Sequence, residues 1–309
     1  MKGSKMEDSE FDRLKGKRVV IIGVGSTGSL IASILAKLGA GLLLVDRDVV
    51  EEKNVGRQVL YGLPDVGSSK ARIAAGKLSE FTKADWKFED LTFKNINSLG
   101  LEGSNLIIDS TDNTEARLLL NDFCRKNSIA WIHTGASKEL GTAMLITPES
   151  PCYECVFGEK HGQGCEVDGI YPQTISELSG LACAIAIDWL ARGETDRGIN
   201  RLNSKTGELS KFATKKNPEC HACSGKYDYL SGQRSRLAER LCGSNRYLIN
   251  AQKRIDLKGA EKTLGESVFK ATEEAVIARD FIIMANGRII VDAKSEKDAR
   301  MKYSRRLGF

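Results

Sequence analysis

The sequence predicts an α/β protein: a Rossmann-like, mostly parallel sheet with flanking helices and a four-cysteine zinc site, plus a small C-terminal α+β module. Three observations predict it. An apolar run, Val19 to Ile22, breaks into the loop Gly23-Val24-Gly25-Ser26-Thr27-Gly28 and then an amphipathic stretch. Two Cys-x-x-Cys pairs, Cys152/Cys155 and Cys220/Cys223, stand far apart in the chain. From Gly225 the character changes to short β-rich runs, so the domains are read as 1–225 and 226–309.

The bulk numbers agree with this organisation. A chain of 309 residues exceeds one average domain, and 41% hydrophobic with 28% charged residues describes an ordinary globular protein. The net charge of +5 suits an anionic ligand. No block of like charges marks a nucleic-acid arm, and no direct nucleic-acid partner is expected. Met1 to Phe11 is polar, unlike a signal peptide. Leu178 to Leu190, the most apolar segment, is read as too short for a membrane span, and it carries Asp188. Eight cysteines without a secretory signal point to reduced thiols or metal ligation. A cytoplasmic protein is expected, with no membrane partner.

The opening strand, glycine loop, helix (Ser29 to Leu38) and second strand (Gly41 to Val45) end at Asp46. Each part has a physical reason. Gly23 permits the tight turn, Gly25 lets backbone amides approach a phosphate, and Gly28 lets helix and strand pack closely. The phosphate then sits at the positive end of the helix dipole. Asp46, at a strand's carboxyl end, suits two ribose hydroxyls. This context indicates an adenine nucleotide and leaves NAD and ATP both open.

Asp48 and the polar run through Asn54, Arg57 and Gln58 follow directly. Residues beyond a strand's carboxyl end face the crevice of an open sheet, where these side chains suit phosphates. The plain alternative is a solvated loop. Lys70 opens a helix running to about Lys77, where a cation opposes the dipole unless an anion binds there. Strands are expected over Trp86 to Leu91, Asn105 to Ile108, Ala130 to His133 and Ala143 to Ile146, with Gly135 and Gly141 flanking a loop. Between these lie Asp109 to Asn113 and a helix from Thr114 to Lys126. Asp112 and Asn113 suit either a helix cap or a nucleotide site, and an acid facing phosphates suits Mg²⁺.

The paired cysteines match tetrahedral zinc geometry, each pair clamping one edge of Zn²⁺. A redox role is the alternative; His221 is a substitute ligand that two complete pairs make unnecessary. Cys165 lies in the glycine-rich stretch Gly158 to Gly169, where reactivity is its best explanation. Cys183, in an apolar helix from Thr174 to Ala191, and Cys124 read as core fillers. In the C-terminal module helices are expected over Tyr229 to Leu241, Leu257 to Leu264 and Glu296 to Arg306, and a strand over Arg246 to Lys253. Asn286-Gly287 between Phe281 to Met284 and Arg288 to Val291 signals a type I′ hairpin.

Taken together, the motifs over about residues 15 to 225 resemble the ThiF/MoeB/HesA superfamily of ubiquitin-activating-enzyme-like adenylyltransferases. They are Gly23-x-Gly25-x-x-Gly28, Asp46 with Asp48, Asn54-x-x-Arg57-Gln58, Lys70, Asp109-x-x-Asp112-Asn113 with Arg117, and the two cysteine pairs. Cys165 with Gly169-Ile170-x-Pro172 looks like that family's mobile loop and active cysteine. The resemblance implies that ATP occupies the crevice, with Asp46 on the ribose, Asn54, Arg57 and Lys70 on the triphosphate, and Asp112 on Mg²⁺. It implies adenylation of the C-terminal glycine of a ubiquitin-like or sulfur-carrier protein ending in Gly-Gly. Thioester or persulfide chemistry at Cys165 would follow. A homodimer is expected; many members pass an arginine across it from a segment before the first strand, where this chain has Arg13 close by. Lys226 to Phe309 contains no rhodanese-type active loop. It is expected to recruit the carrier, so that deleting it leaves ATP binding intact.

Three other functions fit parts of the sequence. A zinc-containing NAD-dependent oxidoreductase explains Gly23 to Asp46 but leaves Arg57, Lys70 and Asp112 without a task. A non-catalytic scaffold does not need charged groups aimed at an empty crevice. Adenylation of a tRNA base or a peptide stays within the superfamily.

Overall fold

A computed structural model describes residues 12–158, 169–195, 198–234, 246–250 and 254–307. Its larger sheet has eight strands in the order β3-β2-β1-β4-β5-β6-β7-β8. These are β1 (Arg18–Ile22), β2 (Gly41–Val45), β3 (Ala84–Lys87), β4 (Leu106–Asp109), β5 (Trp131–Ser137), β6 (Leu140–Ile146), β7 (Ile199–Asn203) and β8 (Glu208–Phe212). The first five run parallel, and β6, β7 and β8 are added antiparallel. The continuous apolar sequences of β1 and β4 follow from burial on both faces, as helices flank them. The chain moves outward from β1 to β3 and returns to β4. The topological switch, where open α/β sheets bind ligands, therefore lies at the carboxyl ends of β1 and β4.

The flanking helices include α1 (Ser26–Lys37), α2 (Lys70–Leu78), α3 (Thr114–Lys126), α4 (Tyr153–Phe157) and α5 (Pro172–Ile187). Helix α1 starts at Ser26 and not at the expected Ser29, because the glycine loop itself supplies the first turn; the Ser29 amide already bonds the Gly25 carbonyl at 3.0 Å. Strand β3 ends at Lys87, short of the expected Leu91, because its pairing with β2 stops at Val45. Gly135 and Gly141 flank no loop: both lie in the β5–β6 hairpin, whose turn is made by Lys138 at φ +47° and Glu139. The α5 helix continues through a π turn, Asp188–Arg192. The span 172–192 is long and apolar enough to cross a membrane, contrary to the sequence-based reading. Its apolar residues pack against α1, β5 and β6 in the core.

The smaller sheet, in the order β10-β11-β12-β13-β9, is antiparallel throughout. It comprises β9 (Arg246–Asn250), β10 (Val268–Ala271), β11 (Ala275–Ala278), β12 (Phe281–Met284) and β13 (Arg288–Asp292). One face packs on α6 (Leu257–Leu264) and α7 (Glu296–Leu307). The other packs Ile282, Met284 and Ile290 against Val49 and Phe88 of the first body. The expected type I′ turn is absent from the β12–β13 hairpin: Asn286 does not take positive φ, and Gly287 alone does at +93°. Residues 228–234 form turns where a helix was expected from Tyr229; the rest of that helix lies outside the described residues. Tyr229 and Leu230, beyond the expected boundary at 225, still pack into the first core.

Candidate functional site

A cavity of about 300 Å³ opens at the switch point, lined by the glycine loop, the 45–48 segment, Gln58, Lys70, the 110–113 segment, Arg117 and the 134–136 segment. A larger cavity, about 500 Å³, lies between the two bodies beside Glu51, Arg246 and Phe281. Among the described residues no glycine loop lines it, and the glycine loop and the start of α1 lie at the switch point.

The three glycines play separable parts. Gly23 takes φ +84°, and a Cβ there would stand 2.8 Å from the Ser110 carbonyl oxygen. A Cβ on Gly28 would meet the Gly23 carbonyl oxygen at 2.0 Å. Both are demanded by the fold. A Cβ on Gly25 would meet only Gln58 Nε2, at 3.9 Å, yet Gly25 lines the cavity. Its bare backbone leaves a cradle that a side chain would fill, and the free amides of the first turn of α1 begin beside it.

Asp46 ties the loop to β2. Its Oδ2 accepts the Val24 amide and its Oδ1 the Asp48 amide, each at 2.7 Å. Burial raises its pKa, opposed by Lys70. Asp48 behaves oppositely: burial works against its charge, but Lys70, Arg288 and Arg47 outweigh it and hold the carboxyl well below the usual range. Lys70, first residue of α2, is buried; burial favours the neutral amine, and Asp48 and Asp46 overcome it to keep the ammonium. Lys70 Nζ lies 3.7 Å from Asp48 Oδ2.

The other expected site residues divide. Gln58 is buried at the cavity, and its Oε1 has no hydrogen-bond partner. Asp112 lines the cavity with its side chain 82% exposed, 3.6 Å from Arg47 Nη2. Asn113 also lines it, while its Oδ1 caps α3 by accepting the Glu115 and Ala116 amides. Asn54 turns away: it is buried and its Oδ1 accepts the Glu51 amide at 2.9 Å. Arg57 is exposed and does not line the cavity. Arg13 Nη1 donates to the Ala191 carbonyl of its own chain. Cys165 lies outside the described residues; Cys124 and Cys183 are core residues, as expected.

Sequence reasoning named Asp109 and Arg117 but missed the buried network they form with His133 behind the cavity lining. Asp109 Oδ2 lies 3.0 Å from His133 Nδ1 and 3.3 Å from Arg117 Nε, while Oδ1 accepts from Thr111. Burial disfavours a charged Asp109, but His133 and Arg117 prevail and lower its pKa. Burial also lowers the pKa of His133, despite its bond to Asp109. Arg47 and Asp90, which also line the cavity, carried no motif.

The four motif cysteines meet, with all four Sγ atoms within 4.8 Å of one another. Separations are 3.4 Å for Cys152–Cys220, 3.5 Å for Cys155–Cys223 and Cys152–Cys223, and 3.7 Å for Cys152–Cys155. A tetrahedron of thiolates at ~2.3 Å from Zn²⁺ has edges of ~3.8 Å. The donor set fits that ion. His221 is turned to Asp228, 2.7 Å away, and is not a fifth ligand. Among the described residues this is the one cluster of three or more prospective metal-binding side chains.

Residues 2–222 match the ThiF family model. The chain is 33% identical over 227 residues to the SAMP-activating enzyme E1 of Haloferax volcanii, covering 68% of this chain and 82% of that one. It is 28% identical over 260 residues to the sulfur carrier protein ThiS adenylyltransferase of Bacillus subtilis, covering 80% and 77%. Among solved structures, E. coli MccB with ATP superposes with a TM-score of 0.61 at 21% identity, covering 69% of this chain and 68% of MccB. That likeness concerns the fold.

Proposed function

The chain belongs to the ThiF family, and from that premise we propose that it uses ATP to adenylate the C-terminal glycine of a small ubiquitin-like or sulfur-carrier protein. A carboxylate oxygen of the carrier attacks the α-phosphorus. The bond from that phosphorus to the bridging oxygen breaks, its electron pair leaves with pyrophosphate, and an acyl-adenylate remains. The carboxylate is already ionised at neutral pH, so no proton needs to move. Positioning and charge neutralisation supply the rate.

The observation that carries this reading is the meeting of Gly25, the α1 N-terminus, Lys70, Asp46 and Asp112 around one crevice. Asp46 keeps a lone pair on each oxygen for the ribose hydroxyls. Asp48, Gln58 and Asn113 complete the nucleotide wall, and the Gly25 cradle takes phosphate. Lys70 neutralises the triphosphate; Asn54, tied to the Glu51 amide, and Arg57, exposed outside the crevice, are not assigned to it. Exposed Asp112 suits Mg²⁺, an ion commonly held by one carboxylate together with phosphates. Zn²⁺ on the four cysteines would be structural; the Cys165 thiolate attacks the acyl carbonyl of the adenylate, forming a thioester as the bond to phosphate breaks and AMP leaves, or takes sulfane sulfur from a persulfide donor, whose thiolate leaves. A homodimer is the assembly we assign.

The oxidoreductase reading is disfavoured by His133. It is 3% exposed with its Nδ1 held by Asp109, and among the described residues no histidine lines the cavity. ATP–pyrophosphate exchange tests the proposal, with purified protein, Mg²⁺ and each candidate carrier. Exchange that needs the carrier's terminal glycine and disappears in Asp112→Ala supports it. Tight NAD binding, with no exchange for any carrier, overturns it.

A further inference from the structure

Arg288 opens β13 in the smaller sheet, yet its side chain ends in the first body. It is 2% exposed. Its Nη1 donates to Asp48 Oδ1 at 2.8 Å and to the Arg47 carbonyl at 3.1 Å. Its Nε lies 3.7 Å from Asp90 Oδ2, and neither Nε nor Nη2 makes a hydrogen bond. A buried guanidinium with two donors unsatisfied is costly, and docking of the second body does not require it. That docking has other ties: Arg72 with Glu274, Arg246 with Glu51, and the Thr272 hydroxyl on the Gly67 carbonyl.

Asp48 stands between two cations. Arg288 hydrogen-bonds its Oδ1, whereas Lys70 is 3.7 Å from Oδ2, beyond hydrogen-bond distance. We propose that Arg288 is a positioning residue of the nucleotide site: it holds Asp48 off Lys70, so that the Lys70 ammonium remains available to a triphosphate. The second body is then a structural part of the crevice and not a detachable recruitment module. This runs against the sequence-based expectation that its removal spares ATP binding. Without Arg288, Asp48 closes on Lys70 and competes with phosphate for it.

The inference rests on the proposed ATP-dependent function, and Mg²⁺–ATP titration calorimetry separates the two. Wild-type protein that fails to bind Mg²⁺–ATP rejects the functional reading itself. Given wild-type binding, Arg288→Met is expected to weaken ATP at least tenfold, and in exchange assays to raise KM for ATP with kcat changed much less. Arg288→Lys is expected to stay within threefold of wild type, because one lysine Nζ can take both contacts of Nη1. Glu274→Gln, which cuts a docking pair elsewhere, is expected to lower the melting temperature and leave ATP affinity unmoved. If Arg288→Met and Glu274→Gln both lower the melting temperature and neither changes ATP affinity, Arg288 is only a docking contact. Should Arg288→Met not fold, Arg288→Gln is read in its place against the same limits.

Discussion

The carbonyl oxygen of Gly23 occupies the space that a Cβ on Gly28 would need, 2.0 Å away. The crossing of strand and helix at the start of the fold is thus a contact between two glycine backbones. Gly28→Ala is expected to cost ~3 kcal/mol or more, since backbone and not a flexible side chain must move. Gly25→Ala is expected to fold with nearly wild-type stability and to lose most ATP affinity, because its methyl group fills the cradle. Denaturation midpoints and ATP titrations of the two variants would show opposite patterns.

Lys70→Met should weaken ATP by roughly 10²-fold, the scale of losing one aimed charge in a sheltered site. The fold should tolerate it less well than a surface change, because Asp46 and Asp48 lose their shared counter-ion. Pyrophosphate exchange and thermal melting, measured on the same sample, check both parts.

Metal content follows from the cysteine geometry. The purified protein is expected to hold one Zn²⁺ per chain by elemental analysis, and Cys220→Ser to lower that content and the melting temperature together. Loss of the ion is expected to cost several kcal/mol of stability. Retention of full stability after complete chelation would remove the structural role.

Asp122 gives a pH signature. Burial raises its pKa to about 7, and Glu154 and Asp228 add to the rise, although its Oδ2 accepts the Tyr229 and Leu230 amides. The native state therefore holds this proton more tightly than the unfolded chain. Its contribution is full below about pH 4, falls as pH rises toward 7, and is level above that. Asp122→Asn should flatten this component, worth on the order of 4 kcal/mol. The difference between wild-type and variant unfolding curves from pH 4 to 8 isolates it.

Thiol reactivity should separate the core cysteines from Cys165. Burial pushes Cys183 up to about 12 and raises Cys124 well above its usual value. At pH 8 Cys183 is roughly 10⁻⁴ thiolate, so neither should alkylate while the protein is folded. Cys165, in its polar, glycine-rich stretch, should alkylate first, which peptide mass spectrometry reads directly.

Much of the fold was legible because its signals are local. Helix α3 was bounded correctly by a capping Asn113 and an amphipathic stretch, and β2 by an apolar run ending at an acid. Strands β7 and β8 escaped notice because they are short, polar and half exposed at the sheet's end. The polar run after β2 was recognised, but a 3-10 turn decides which of its side chains face the crevice. It sends Asn54 to its own backbone and Gln58 inward. Arg288 had no local signal at all: its partner Asp48 is 240 positions away. The same holds for His133 on Asp109, joined only when β4 and β5 pair.

The cysteine clip also imposes an order in time. One half precedes α5 and the other follows β8, so a ribosome-bound chain that ends before Cys220 offers an ion only one edge of the tetrahedron. The site comes into being only after the antiparallel half of the large sheet has been made. A metal ion held by all four thiolates therefore cannot bind before Cys223 has been synthesised, by which point β7 and β8 are already in the chain.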